Sequence, residues 1–262
     1  FPVTMDSIRN ALSSIVTVSR VIEWEDASGR VVASEQERLG ALQLSSRQAV
    51  PTDEEAIPLI IQQLYRRGMP LPGWLGQTSE LAARVSLVSS VFPETVWPDL
   101  SYQWLLENLA EWLSPHLAGF RSLRDLERLD LLCILKGLIG WSRMKDLDEL
   151  APQRIGIPSG RMAPLDYSSD EGPLLSVKLQ EMFGLAESPS VCLGRRMVLV
   201  QLLSPAGRPV AVTRDLKGFW ERGYQDVRKE LRGRYPKHPW PEDPWNFKAS
   251  ALTKKRLERI DA

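Results

Sequence analysis

Histidine and cysteine are the scarcest chemistry-bearing residues of this 262-residue chain, with two of each. Cys133 sits in an apolar helical run and Cys192 in a polar stretch, so neither a disulfide framework nor a four-ligand zinc site can be assembled. A reducing cytoplasm is the expected compartment. A long apolar run is also missing. The most apolar stretch, Leu129 to Trp141, is interrupted by Asp130 and Lys136, short of the roughly 20 residues of a spanning helix, so no membrane partner is expected. The opening residues lack the basic and apolar regions of a signal peptide. No Gly-x-x-x-x-Gly-Lys-Ser/Thr loop, Gly-x-Gly-x-x-Gly fingerprint or Gly-x-Ser-x-Gly elbow occurs. The acidic pairs Asp53-Glu54 and Asp148-Glu149 lie in amphipathic helical context and read as solvated surface. Glu107, Glu111, Asp146 and Glu149 read the same way. His116, near a helix end, reads as a cap or packing residue. No catalytic residue, cofactor-binding residue or metal ligand is expected in this chain.

What is present is globular. The hydrophobic share is 43% and the charged share 25%, ordinary for a folded soluble protein, and the length suggests about two domains. Net charge is zero, but the charge is unevenly placed. Residues 208–262 carry 14 Lys or Arg against 8 Asp or Glu, leaving 19 against 25 for residues 1–207. A basic end on an acidic body suits a polyanion, or docking of the two parts on each other.

The pattern predicts an α+β chain in four parts. Residues 1–46 read as β structure, with strands at Ile15–Trp24, Arg30–Ser34 and Arg38–Leu44. Two or three strands cannot close a core alone, so the segment is expected to have paired with strands missing from this piece. Residues 47–151 read as an all-helical middle. Thr52 with Glu55 forms a capping box, and Gly68 with Pro70 stops that helix near Arg67. Helices follow at Gly76–Val91, Tyr102–Leu113 after Ser101, Ser122 through Ile139, and Ser142–Leu150. Trp74, Trp97, Trp104, Trp112 and Trp141 fall in this middle, and any exposed pair would mark an interface. Residues 152–244 read as a small sheet backed by one long helix. Arg161–Tyr167 and Leu174–Lys178 are strands, Leu179–Phe183 a short helix, and Met197–Leu203 pairs with Arg208–Thr213 around Ser204–Gly207. A helix runs from Asp215 to Leu231. Residues 245–262 form a tail, compatible with disorder or a short helix.

The stretch from Arg232 to Pro241 carries the strongest functional signal. It packs cations, Tyr235, Trp240 and three prolines into ten residues beyond a helix. Cations beside flat aromatic faces match a phosphate backbone with unstacked bases. The candidate nucleic-acid-binding residues are Arg228, Lys229, Arg232, Arg234, Tyr235, Lys237, His238 and Trp240. The competing reading is a clasp, in which Tyr235 and Trp240 fold back onto the domain while the cations stay solvated.

The residues Ile157-Pro-Ser-Gly160, Leu202 to Pro209, Val212 to Leu216, Phe219-Trp220 and Val227 to Pro244 resemble the C-terminal signature of bacterial HrpB-type helicases, of the DEAH/RHA class of ATP-dependent RNA helicases. Arg38 to Leu42 and Trp97 to Leu100 resemble earlier segments of that family, so the likeness spans about Val16 to Pro244. The resemblance implies that residues 1 to about 46 end an OB-like module and that the rest is a family-specific extension. It places ATP and magnesium only in motor domains outside this chain, so no cofactor is expected here. The partners it implies are single-stranded nucleic acid, RNA ahead of DNA, and the chain's own upstream helicase domains. Two functions follow: an accessory module that contacts nucleic acid and/or the motor domains, or a purely structural clamp that regulates the helicase core without binding nucleic acid.

Overall fold

The computed structural model describes residues 15–68, 71–169 and 171–259. The chain is α+β and packs as two compact units. One takes the described residues up to Thr78 together with Leu100–Leu138, and the other takes Ser79–Asp99 with Ile139 onward. The helices of the middle region are divided between them. No helix among the described residues is long and apolar enough to cross a membrane.

In the first unit, β1 (Val16–Glu25), β2 (Arg30–Leu39) and β3 (Leu42–Ala49) form an antiparallel meander in sequence order. The expected third strand at Arg38–Leu44 is corrected. β2 runs unbroken to Leu39, and the reversal falls at Gly40, whose φ of 55° suits a tight hairpin. The β-branched run Arg30–Ser34 was legible, but the polar continuation Glu35-Gln-Glu-Arg38 hid the rest of the strand.

Helix Asp53–Arg67 has the expected capping box, with Thr52 Oγ1 accepting from Glu55 N and the Glu55 carboxylate accepting from Thr52 N. Arg20 of β1 forks onto that same carboxylate at 2.6 and 3.0 Å, so the cap ties the sheet to the helix. The Arg20 guanidinium and the Thr52 amide hold the Glu55 carboxyl down at about 2. The stop at Gly68 stands, while Pro70 lies outside the described residues.

Two expected long helices are interrupted. Tyr102–Leu113 divides at Asn108 into Tyr102–Glu107 and Leu109–Trp112, because the Asn108 side chain donates to the Trp104 carbonyl at 2.8 Å and competes with the backbone ladder. The region from Ser122 is a 3-10 turn, Leu123–Arg128, followed after Leu129-Asp130 by helix Leu131–Ile139. The Ser122–Asp125 pairing seen in the sequence caps the short turn. Apolar residues of this unit, including Ile60, Leu105, Leu113 and Leu135, are fully buried.

The second unit is built on a five-stranded sheet in the order β10-β9-β6-β5-β4. Its strands are β4 (Arg154–Gly156), β5 (Met162–Asp166), β6 (Leu174–Lys178), β9 (Leu199–Leu203) and β10 (Pro209–Thr213). A small hairpin of β7 (Ser190–Val191) and β8 (Arg196–Met197) precedes β9. The central pair, β6 and β9, is parallel and the other pairs are antiparallel. The β9–β10 hairpin and its Ser204–Gly207 turn are as expected, whereas β4 is an addition to the expected strands, because Gly156 and Pro158 mask a three-residue strand. Met197, expected to open the β9 strand, belongs to β8 instead. Leu175, Val177, Val200 and Leu202 point into the core, while Ser176 and Gln201 bond each other on the opposite face, the period-2 alternation of a half-buried sheet.

Helix Gln77–Val91 buries Leu81, Val85 and Val88 as expected, and with them Arg84. The Arg84 guanidinium donates to the carbonyls of Ala151 and Leu147 and pairs with Asp148, satisfying the C-terminal end of helix Trp141–Leu150. That helix begins at Trp141 after Gly140, and not at Ser142.

Candidate nucleic-acid interface

The long C-terminal helix begins at Asp215, whose carboxylate accepts from Gly218 N at 2.8 Å. Its first segment, Leu216–Gly218, passes into a π-helical turn at Phe219–Gly223 and then into Tyr224–Arg234, three residues beyond the expected end. Trp220 and Tyr224 are buried beside Phe183, whose ring lies 5.9 Å from each and 5.7 Å from Phe247. Burial pushes the Tyr224 phenol up.

Past Arg234 the prolines decide the geometry. A chain with Pro236, Pro239, Pro241 and Pro244 lacks the amides needed for a ladder, but its carbonyls still need donors. Helix side chains supply them. Tyr224 Oη donates to Pro241 O at 2.8 Å, Gln225 Nε2 to Glu242 O at 2.9 Å and Arg228 Nε to Trp240 O at 3.0 Å. Arg228 also reaches the Glu242 carboxylate at 3.0 Å. Gln180 Nε2 donates to Pro239 O at 3.2 Å from the other side. The indole of Trp240 donates to Tyr235 O at 2.9 Å and the residue is only 6% exposed.

The predicted site residues therefore separate into two groups. Arg228, 14% exposed at its side chain, and Trp240 are built into the fold, so neither a free cation nor an open stacking face is presented there. Tyr235 and His238 are half-buried. Burial, with Lys178 nearby, holds the His238 imidazole below its ordinary value and so favours its neutral form. Lys229, Arg232, Arg234 and Lys237 are exposed. Lys229 lies 3.3 Å from Asp226 and Arg234 3.6 Å from Glu230, while Arg232 and Lys237 have no carboxylate partner among the described residues. Gln180, Tyr224 and Gln225 were not read as partners of the signature. A donor one helical turn before Arg228, facing a proline-rich segment, was the available signal.

His116 is exposed on the 3-10 turn Ser114–His116. Among the described residues, no group of three His, Cys, Asp or Glu side chains is placed to hold a metal ion.

Residues 112–244 match the family described as ATP-dependent helicase C-terminal, HrpB_C. Residues 15–49 match the connector region of the ATP-dependent RNA helicase HrpB. The chain belongs to the HrpB family. It is 36% identical over 254 residues to the ATP-dependent RNA helicase HrpB of Escherichia coli K12, covering 97% of this chain and 31% of that protein. A crystal structure of the E. coli DExH-box NTPase HrpB superposes with a TM-score of 0.73 at 35% identity over 95% of this chain and 31% of that one. A second, of the E. coli DEAH/RHA helicase HrpB, gives 0.63 at 35% over 86% and 29%. The chain thus spans about a third of the length of its HrpB relatives and corresponds to the C-terminal region of an HrpB ATP-dependent helicase.

Proposed function

We propose that this region is an accessory module of a cytoplasmic ATP-dependent RNA helicase, and that it contacts the phosphates of a single strand, RNA ahead of DNA, without stacking its bases on Trp240. The observation that carries the reading is the set of exposed cations Lys229, Arg232, Arg234 and Lys237, held at a helix end by a clasp that consumes Arg228 and Trp240. ATP and magnesium belong to motor domains outside this chain. Four phosphate contacts on a single strand correspond to a salt slope of about 3, or roughly 50-fold weaker binding at about 200 mM than at about 50 mM salt. The test is fluorescence anisotropy of the chain with labelled oligo(U) and oligo(dT) across that range. Joint replacement of Lys229, Arg232, Arg234 and Lys237 by Gln should remove most of the slope; binding that ignores both salt and these replacements would overturn the reading.

One observation favours a second reading, a clamp that docks on the motor. Trp141 is 95% exposed, a large apolar side chain that a partner would cover. In the full-length helicase, a clamp would alter ATPase activity when Trp141 is replaced by Ala while leaving the salt slope of RNA binding unchanged.

A further inference from the structure

The hairpin that carries Arg195 and Arg196 sets the two cations in different surroundings. Its turn holds Cys192, Leu193 and Gly194 at φ of 53°, 55° and 83°, a left-handed run costly for the two non-glycine residues. The turn is pinned by Cys192 N donating to Leu150 O at 2.7 Å and Arg195 N to Cys192 O at 3.1 Å. Arg195 is engaged: its guanidinium lies 4.6 Å over the Phe92 ring and 3.7 Å from Glu94. Arg196 has no carboxylate partner among the described residues and lines a cleft of about 290 Å³ between helix Gln77–Val91 and the β5–β6 loop.

That cleft is a donor site. Arg196 rests against Gly172, where a Cβ would come within 3.0 Å of Nη2 and 3.2 Å of Nε. With φ at 104°, position 172 takes glycine for its backbone and leaves the guanidinium its seat. Four serine hydroxyls share the lining, and their bonds determine which can serve. Ser90 donates to Leu87 O and Ser168 to Asp166 Oδ1. Ser169 Oγ accepts from Glu171 N, which leaves its O–H free to donate, and Ser86 makes no hydrogen bond among the described residues. Glu171 is turned to Arg214, and Asp170 lies outside the described residues. An exposed guanidinium seated against Gly172, with two hydroxyls that donate to no group among the described residues in the same lining, suits a tetrahedral oxyanion.

We propose that Arg196, Ser86 and Ser169 form a phosphate-binding site, separate from the C-terminal signature, which takes either free phosphate or a phosphodiester of a nucleic-acid strand. The site needs no contribution from the signature, so it can stand or fall without the function proposed above. The test follows the backbone amide resonance of Gly172, which lies against the Arg196 guanidinium, by NMR while inorganic phosphate, and separately a short oligo(U), is added. A saturable shift with either, lost in Arg196→Gln and at least threefold weaker in Ser86→Ala, is the expected result. A shift with phosphate alone identifies a free-anion site. A shift with oligo(U) that persists when the four signature cations are replaced identifies a second strand contact. No shift with either probe, or an affinity unchanged from the parent in both Ser86→Ala and Ser169→Ala, overturns the proposal. Arg196→Lys, which keeps the charge but not the fork, should bind more weakly than the parent and more tightly than Arg196→Gln.

Discussion

The signature at the end of the long helix contains two kinds of residue that the sequence presents as one. Tyr224, Arg228 and Trp240 face inward and bind main-chain carbonyls. Lys229, Arg232, Arg234 and Lys237 face outward on the same few turns. A dense cluster of cations and aromatics therefore does not by itself specify a ligand surface. Proline-rich backbone creates acceptors that must be satisfied, and the nearest guanidinium and indole are taken for that purpose before any partner arrives.

Substitutions can break this contrast, beginning with the largest effect on stability. Trp240→Ala removes a buried ring and its hydrogen bond and should cost about 3–5 kcal/mol, measured by urea unfolding; an unchanged midpoint would mean the clasp is not part of the fold. Arg228→Ala should cost about 2 kcal/mol, as expected for a hydrogen bond made by a charged group to the carbonyl of buried Trp240. Arg228→Lys should recover little of it, since an ammonium cannot serve Trp240 O and Glu242 together.

His238 supplies a pH test of the inner group. Its folded value lies below the ordinary 6.5, so below about that pH the unfolded chain takes up a proton more readily than the folded one. Stability should therefore fall as pH drops through the unfolded value toward the folded one, and the decline should shrink in His238→Gln, seen as a flatter melting temperature between pH 7 and pH 5. Smallest for stability is the outer group. Single replacements of Lys229, Arg232, Arg234 or Lys237 by Gln should each shift unfolding by no more than about 0.5 kcal/mol, while each lowers the salt slope of oligo(U) binding by about 0.7. If these replacements unfold the chain while Trp240→Ala leaves it intact, the inner and outer assignments are reversed.

Local signals in the sequence were read well where one residue controls one bond. The Thr52–Glu55 box, the Gly68 stop, the buried face of Leu81, Val85 and Val88, and the turn at Ser204–Gly207 all follow from such rules. Errors arose where a polar side chain competed with the backbone, as at Asn108, or where a strand lacked an apolar pattern, as in the second half of β2 and in β4. Of the candidate site, the positions of the cations were legible. Which of them would be consumed depended on carbonyls of Trp240 and Pro241 reaching back more than ten residues along the chain, a contact to which only the prolines beyond a donor-bearing helix gave a clue.

The parallel pairing of β6 with β9 has a consequence for how the protein is made. A strand that bonds to its neighbour in the same direction cannot be completed by a simple reversal, so Leu174–Lys178 must wait for a segment some twenty-five residues later. As the polypeptide leaves the ribosome, this strand can pair with β5 at one edge, but its other edge has no partner until Leu199–Leu203 has been synthesised. During that interval Leu175 and Val177 are vulnerable to aggregation, and a pause in translation just before Leu199 would lengthen it.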